Sequence, residues 1–302
     1  MTGARAVSLA AARPASSRLA AVLLCMPLVL VLATLLLWPG ARLLEQSLVD
    51  VDRGGLTAAH YAKLIFDPRL RLALLASFGL SGVVALVATV LCLAPAWLLV
   101  RGRFRGRRLL RSVLALPMSF SGVIVGFLMV ITLGRSGFVP QLSRLALGEA
   151  WLSGAAYTFG GLCAAYLYFE IPRATLTLEA ALRRVDFRLM DAARTLGAGR
   201  LYRLRSVLLP ALGPALLSTW AVTFSVSLGS FGVVLILATR QLSVLPLEIF
   251  MAYLAFPSDR AAAAAMSVVL VALAFGVSYT SRRLLDRERP SRFVGERPSG
   301  RA

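Results

Sequence analysis

The sequence predicts an all-α membrane protein with six transmembrane helices and both termini on the cytoplasmic side. Three observations predict it. Hydrophobic residues make up 58% of the 302 residues, and they gather into runs of about 20, the length a helix needs to cross the hydrocarbon layer. The net charge is +19, and the arginines stand at the ends of those runs, where topology signals belong. Taken alternately along the chain, 23 basic residues fall on one side and nine on the other. The richer side holds the N-terminus, 101–111, 183–205 and the tail, and the positive-inside rule makes it cytoplasmic.

At the start of the chain, Arg5, Arg13 and Arg18 precede an apolar run from Leu19 to Trp38. The run is long enough to span, no small-residue cleavage site follows it, and Trp38-Pro39-Gly40 is expected to end it. In the mixed-charge loop 39–72, Thr57 is placed to cap a short helix from Ala58 to Phe66, which Asp67-Pro68 stops. The second span covers Ala73 to Val100, with Pro95 expected to kink its inner end. The third covers Ser112 to Leu133 and is interrupted by Pro117, Ser119, Ser121, Gly122 and Gly126. Small residues permit close helix packing and irregular backbone beside a cavity.

An external loop, 134–155, carries Trp151, which with nearby Tyr157 can anchor the interface. The fourth span, Ala156 to Leu176, contains Glu170 and Arg173. An acid in a membrane helix can be functional; the simpler account pairs it with the arginine one turn on. The fifth span, Ala211 to Ala238, contains Thr223, Ser227 and Ser230. Such hydroxyls either line a path or bond their own backbone, and both readings stay open. After an external loop, 239–260, the sixth span covers Ala261 to Thr280, and an arginine-rich tail is expected to be cytoplasmic and partly disordered.

Several chemistries are excluded. The six arginines of 101–111 lie between two spans, which makes them an anchor on anionic lipid and not a nucleic-acid patch. Cys25, Cys92 and Cys163 sit inside apolar runs without metal-ligand spacing. His60 stands alone. The one lysine, Lys63, follows Ala62 in an external loop, so no phosphate-binding P-loop exists. No His-Glu-x-x-His or Gly-x-Ser-x-Gly occurs. No catalytic residue, metal or cofactor is expected, and any energy must come from another subunit.

The stretch Asp191 to Pro210, DAARTLGAGRLYRLRSVLLP, stands apart. Arg194, Arg200, Arg203 and Arg205 would each cost about 2.5–3.5 kcal/mol at the centre of a membrane helix, so the stretch lies in water. Apolar residues still recur at helical spacing: Met190, Ala193 and Leu196 before Gly197, then Leu201, Leu204 and Leu208 after Gly199. Two short helices with a sharp turn are expected.

Its frame is Asp191-Ala192-Ala193, three residues, Gly197, nine residues, Val207, one residue, Leu209-Pro210. This resembles the EAA signature of the membrane subunits of binding-protein-dependent ABC importers, with aspartate for the usual glutamate and valine for isoleucine. Glu179-Ala180-Ala181 also spells the triplet, but Val185 stands where the glycine is required. The resemblance implies a type I importer permease (MetI-like) fold. It implies a cytoplasmic N-terminal tail at 1–18, a permease domain at 19–285 with its coupling loop at 177–210, and a cytoplasmic C-terminal tail at 286–302. It gives Asp191 a carboxylate for a basic residue of an ATPase and Ala192 and Ala193 a close approach. Gly197 then makes the turn, Val207 and Leu209 complete the motif, and Pro210 ends the second helix.

The same resemblance implies a bacterial inner-membrane location. It implies an ATP-binding subunit dimer, a second permease subunit, an extracytoplasmic solute-binding protein and surrounding membrane lipid as partners, and no nucleic acid. Ser230-Phe231-Gly232-Val233-Val234 and Leu245-Pro246-Leu247-Glu248-Ile249 resemble polyamine, phosphonate, ferric iron, sulfate and molybdate permeases. The implied cargo is a small polar or ionic solute, with Ser119, Ser121, Thr223, Ser227 and Ser230 as candidate lining residues. The alternative is a secondary transporter or channel with no ATPase partner, a class that often shows repeated halves; no repeat is found here.

Overall fold

The computed structural model describes residues 25–50, 55–102, 104–185, 187–238, 242–255 and 259–287. The N-terminal tail, the first six residues of the first apolar run, Arg240 and the chain after 287 lie outside them. Apart from a two-residue antiparallel ribbon, Val49–Asp50 (β1) with Gly55–Leu56 (β2), the regular structure described is helical. Five stretches are long and apolar enough to cross a membrane: Cys25–Leu48, Pro68–Arg101, Gly122–Leu147, Arg200–Leu228 and Asp259–Leu285.

The first stretch, α1 (Cys25–Leu48), does not end at Pro39-Gly40. A π turn at Ala33–Leu37 lets the Trp38 N–H donate to the Ala33 carbonyl, five residues back. The widened turn places Pro39 where no backbone N–H is called for, so the proline starts a fresh α-helical segment instead of stopping one. The short helix forms as α2 (Ala59–Phe66), one residue later than expected: Ala58 is its N-cap, and Thr57 Oγ1 accepts the Ala59 N–H just ahead of it. Asp67 ends α2 and its side chain caps α3 (Pro68–Arg101), which runs on through Pro95.

The third apolar run is broken. Behind α4 (Arg107–Ala115) come a 3-10 turn at Leu116–Ser119 and an extended Phe120; Ser121 then caps α5 (Gly122–Leu133). Pro117 and the small residues after it leave too little side chain to hold a straight helix. The expected outer loops contain helices of their own, α6 (Phe138–Leu147) and α11 (Leu245–Ala255). Next, α7 (Phe159–Leu182) leads into α8 (Arg188–Thr195) and α9 (Arg200–Leu228). The fifth run also breaks, at Gly229–Phe231, before α10 (Gly232–Leu237); α12 (Asp259–Arg287) closes the order.

The two breaks meet. A Cβ built on Gly232 would lie 2.9 Å from the Val123 backbone nitrogen and 3.0 Å from Gly122 Cα. Only glycine lets α5 and α10 approach this closely. At the centre of the bundle α7 packs along α3 and against α9, and none of its residues from Gly161 to Glu179 is exposed. Two clusters fill the space around it, Leu80, Val84, Leu162 and Tyr166 in one and Cys92, Leu178, Leu182 and Leu212 in the other. In contrast, Leu35, Leu36 and Leu37 of α1 are exposed. In a bilayer, acyl chains solvate such a surface.

Candidate coupling surface and membrane path

The hairpin 188–210 is built on a fixed foot. Phe187 meets Trp97 edge-on at 5.4 Å, and the Arg101 guanidinium lies 4.4 Å from the Phe187 ring centre. Val185 and Met190 pack on the cluster of Leu178, Leu182, Leu208 and Leu212. At the end of α8, Gly197 takes φ +81°. The Ala198 N–H donates to the Ala193 carbonyl and the Gly197 N–H to the Arg194 carbonyl, which closes the helix in a left-handed C-cap. Gly197 therefore makes the turn that its position in the motif predicts.

The second helix of the hairpin differs from expectation. It is not ended by Pro210. The Leu209 N–H donates to the Leu204 carbonyl through a π turn at Leu204–Leu208, the same device that precedes Pro39. The helix thus continues from Arg200 to Leu228, and the hairpin is rigidly joined to the fifth apolar run. Of the hairpin's apolar spacing Leu208 is buried and Met190 packs on the same cluster, while Leu196 and Leu201 remain 87% and 76% exposed. Asp191 and Ala192 are exposed, Ala193 and Val207 half-buried, Leu209 and Pro210 exposed. Asp191 lies in the first turn of α8, where a carboxylate suits the helix dipole.

Glu179, set aside in the sequence as part of a false triplet, is a second charged centre. Its carboxylate receives the Arg111 guanidinium in a two-point contact and Arg183 at 2.7 Å, with Arg107 at 4.0 Å. The residue is 5% exposed. Burial pushes its carboxyl up, but the hydrogen bonds from Arg111 and Arg183 and their charges outweigh that, so the net displacement is below the usual carboxylate range. Glu179 lies beyond Leu176, at the arginine-rich end, and ties α4 to the foot of the hairpin. The signal for part of this was present in the sequence: an acid four residues before Arg183 on one helix.

The candidate lining residues divide into two groups. Ser119 and Ser121 are exposed at the break before α5, and Ser230 is half-buried at the break before α10, where its carbonyl accepts the Tyr166 hydroxyl at 2.7 Å. The contact of Gly122 with Gly232 draws these two breaks together. Thr223 and Ser227 lie back along α9, buried, with hydroxyls that have no partner among the described residues. Glu170 pairs with Arg173 at 2.5 Å, as the spacing predicts.

Residues 89–289 match the family described as the binding-protein-dependent transport system inner membrane component. The molybdenum transport system permease protein ModB of Escherichia coli K12 is 30% identical over 234 residues, covering 76% of this chain and 100% of that protein. The sulfate transport system permease protein CysT of Salmonella typhimurium is 31% identical over 252 residues, covering 81% and 87%. Among solved structures, a bacterial ABC transporter involved in the import of the acidic polysaccharide alginate superposes with a TM-score of 0.73 at 17% identity, over 91% of this chain and 98% of that one. The MetNI methionine ABC transporter gives 0.51 at 18% identity, over 72% and 93%. At those identities the likeness is one of fold. The helical bundle, the motif frame and the matched residues lead to one conclusion: the chain belongs to the family of binding-protein-dependent transport system inner membrane components and is a multi-pass permease subunit of an ABC importer.

Proposed function

We propose that this permease imports an oxyanion of the molybdate or sulfate class, driven by a separate ATPase that grips the hairpin 188–210. The observation that carries the coupling is the exposure of Leu196, Leu201 and Tyr202, which stand within the frame running from Asp191 through Gly197 to Pro210. Leucines exposed at a charged end, away from the apolar runs, are an interaction surface. The names of the relatives support the cargo class.

In this reading the run Ala156 to Leu176, most of it in α7, is the fourth of six spans, both termini are cytoplasmic, and the domain limits are those given by the sequence. The chain supplies half of the path and no ATPase site. Asp191 offers its carboxylate to a basic residue of the ATPase, Ala192 and Ala193 keep the approach close, and Gly197 sets the angle of α8. Val207, Leu209 and Pro210 carry the motion into α9 without a joint. Ser119, Ser121 and Ser230 form the narrow part of the path, with Thr223 and Ser227 behind it. The further partners are a second permease subunit, identical or different, and an extracytoplasmic solute-binding protein. The alginate ABC transporter has been crystallised in complex with a periplasmic protein bound to an alginate pentasaccharide.

Purification from membranes of cells that also express candidate ATP-binding subunits tests the reading. One such subunit is expected to co-purify, and Gly197→Asp to abolish this. In proteoliposomes, uptake of molybdate or sulfate should require ATP and a solute-binding protein. Uptake by the permease alone, without ATP, would overturn the proposal.

A further inference from the structure

Across the six apolar runs read from the sequence, Glu170 is the sole anion and Arg173 the sole cation. A charge pair inside a membrane is costly, and where one persists it marks a path or a switch. This pair is unevenly placed. The Glu170 side chain is 3% exposed and that of Arg173 is 27%, so the carboxylate is the more deeply buried partner. The contact is single: one Arg173 nitrogen meets Glu170 Oε1. Guanidinium has five N–H donors, and among the described residues Arg173 makes no hydrogen bond other than the one to Glu170.

The surroundings are polar and incompletely bonded. Glu170 Oε2, Ser227 Oγ and Thr223 Oγ1 are all buried without a hydrogen-bond partner among the described residues. α9, which carries both hydroxyls, packs against α7. Thr223 and Ser227 are four residues apart and share one face of α9. Buried polar atoms are normally satisfied; of these three, the Thr223 and Ser227 hydroxyls can donate to an anion, whereas Glu170 Oε2 only accepts and so serves the guanidinium.

We propose that this is where an anionic cargo is met inside the membrane. Arg173 contacts the oxyanion, and Glu170 is the counter-ion that holds the guanidinium when the path is empty. Arrival of an oxyanion gives Arg173 a second acceptor, and its departure returns the guanidinium to Glu170, so the cation neither traps the cargo nor stands unpaired. The inference rests on the oxyanion reading given under Proposed function.

The test is ATP-driven uptake of molybdate and of sulfate by the full complex in proteoliposomes, with ATPase activity and subunit assembly measured in parallel. Arg173→Met should lower uptake at least about tenfold, the scale of one lost charge-assisted hydrogen bond, and Arg173→Lys, which keeps the charge beside Glu170, should recover part of it. Glu170→Gln should lower both KM and turnover, because the uncompensated guanidinium holds the anion longer. The exchanged pair, Glu170→Arg with Arg173→Glu, restores a salt bridge but moves the cation to the buried position. It should assemble and fail to transport. Native uptake by Arg173→Met or by the exchanged pair would overturn the inference and leave the oxyanion reading intact. A native complex that carried only cations or neutral solutes would overturn both.

Discussion

Glu179-Ala180-Ala181 and Asp191-Ala192-Ala193 are two triplets of nearly the same composition, one on α7 and one on α8. The first acid is buried under Arg111 and Arg183, with Arg107 near. The second is exposed and has no ion pair with any described residue. The residue six places after each acid accounts for the difference. Val185 turns inward and packs on the core, keeping its segment against the bundle. Gly197 takes a left-handed conformation and throws α8 and α9 outward as a hairpin. An acid whose bonding is completed within its own chain holds that chain together; the one left incomplete is the one the proposal gives to a second protein.

The contrast predicts a loss of stability at one triplet and a loss of assembly at the other. Glu179→Ala is the largest expected effect. It leaves three guanidiniums facing one another, and with their partial exposure counted the cost is about 2–3 kcal/mol. It is read as a fall of several degrees in the unfolding temperature in detergent. The carboxyl of Glu179 is held below its ordinary value, so its contribution is present above the unfolded-state value of about 4.3 and is lost as pH falls through the lower, folded value. The difference between native and Glu179→Gln proteins should therefore narrow on acidification. An unchanged unfolding temperature for Glu179→Ala would mean that this carboxylate does not hold α4 to the hairpin.

At the exposed triplet the order reverses. Leu201→Asp alters a side chain that is 76% exposed, so stability should move by less than about 0.5 kcal/mol. Retention of an ATP-binding subunit should weaken about tenfold, about 1.4 kcal/mol. Gly197→Ala is smaller. Nothing lies within 4 Å of the Cβ it would add, so the penalty is that of the left-handed conformation, about 1 kcal/mol. It should lower stability and retention together. If Leu201→Asp instead unfolds the chain as readily as Glu179→Ala, the division between the two triplets is lost.

Much of this was legible from the residues. The apolar runs marked the long helices, Thr57 and Asp67 marked the ends of α2, and the spacing of Gly197 marked the turn. Three features were not legible, for related reasons. Proline at 39 and 210 reads as a stop because its missing N–H disrupts an α-helix, but a preceding π turn removes the need for that N–H, and no residue type announces such a turn. The breaks at 116–121 and 229–231 were visible as small residues, but their meeting through Gly122 and Gly232 is a tertiary contact. Glu179 was read through its motif neighbours, while its partners Arg107 and Arg111 come from a distant segment of the chain. The candidate lining serines stood out as polar residues in apolar runs. Which of them would lie at a break and which behind it depends on the same tertiary contact.

Asp191→Glu is the smallest effect and the finest test of the comparison. It adds one methylene at an exposed position in the first turn of α8, keeps the charge that favours the helix N-terminus and restores the residue usual in the resembled signature. No ion pair ties Asp191 to a described side chain, so the fold gives no reason for aspartate over glutamate. Stability should stay within about 0.3 kcal/mol, the scale of a surface change. If the ATPase residue that meets this carboxylate is placed for aspartate, the longer side chain should weaken subunit retention by about two- to threefold, roughly 0.4–0.6 kcal/mol. If that partner is placed for glutamate, retention should rise by a similar factor. Equal retention by the native chain, Asp191→Glu and Asp191→Ala would show that the carboxylate makes no contact and that the grip lies wholly with Leu196, Leu201 and Tyr202.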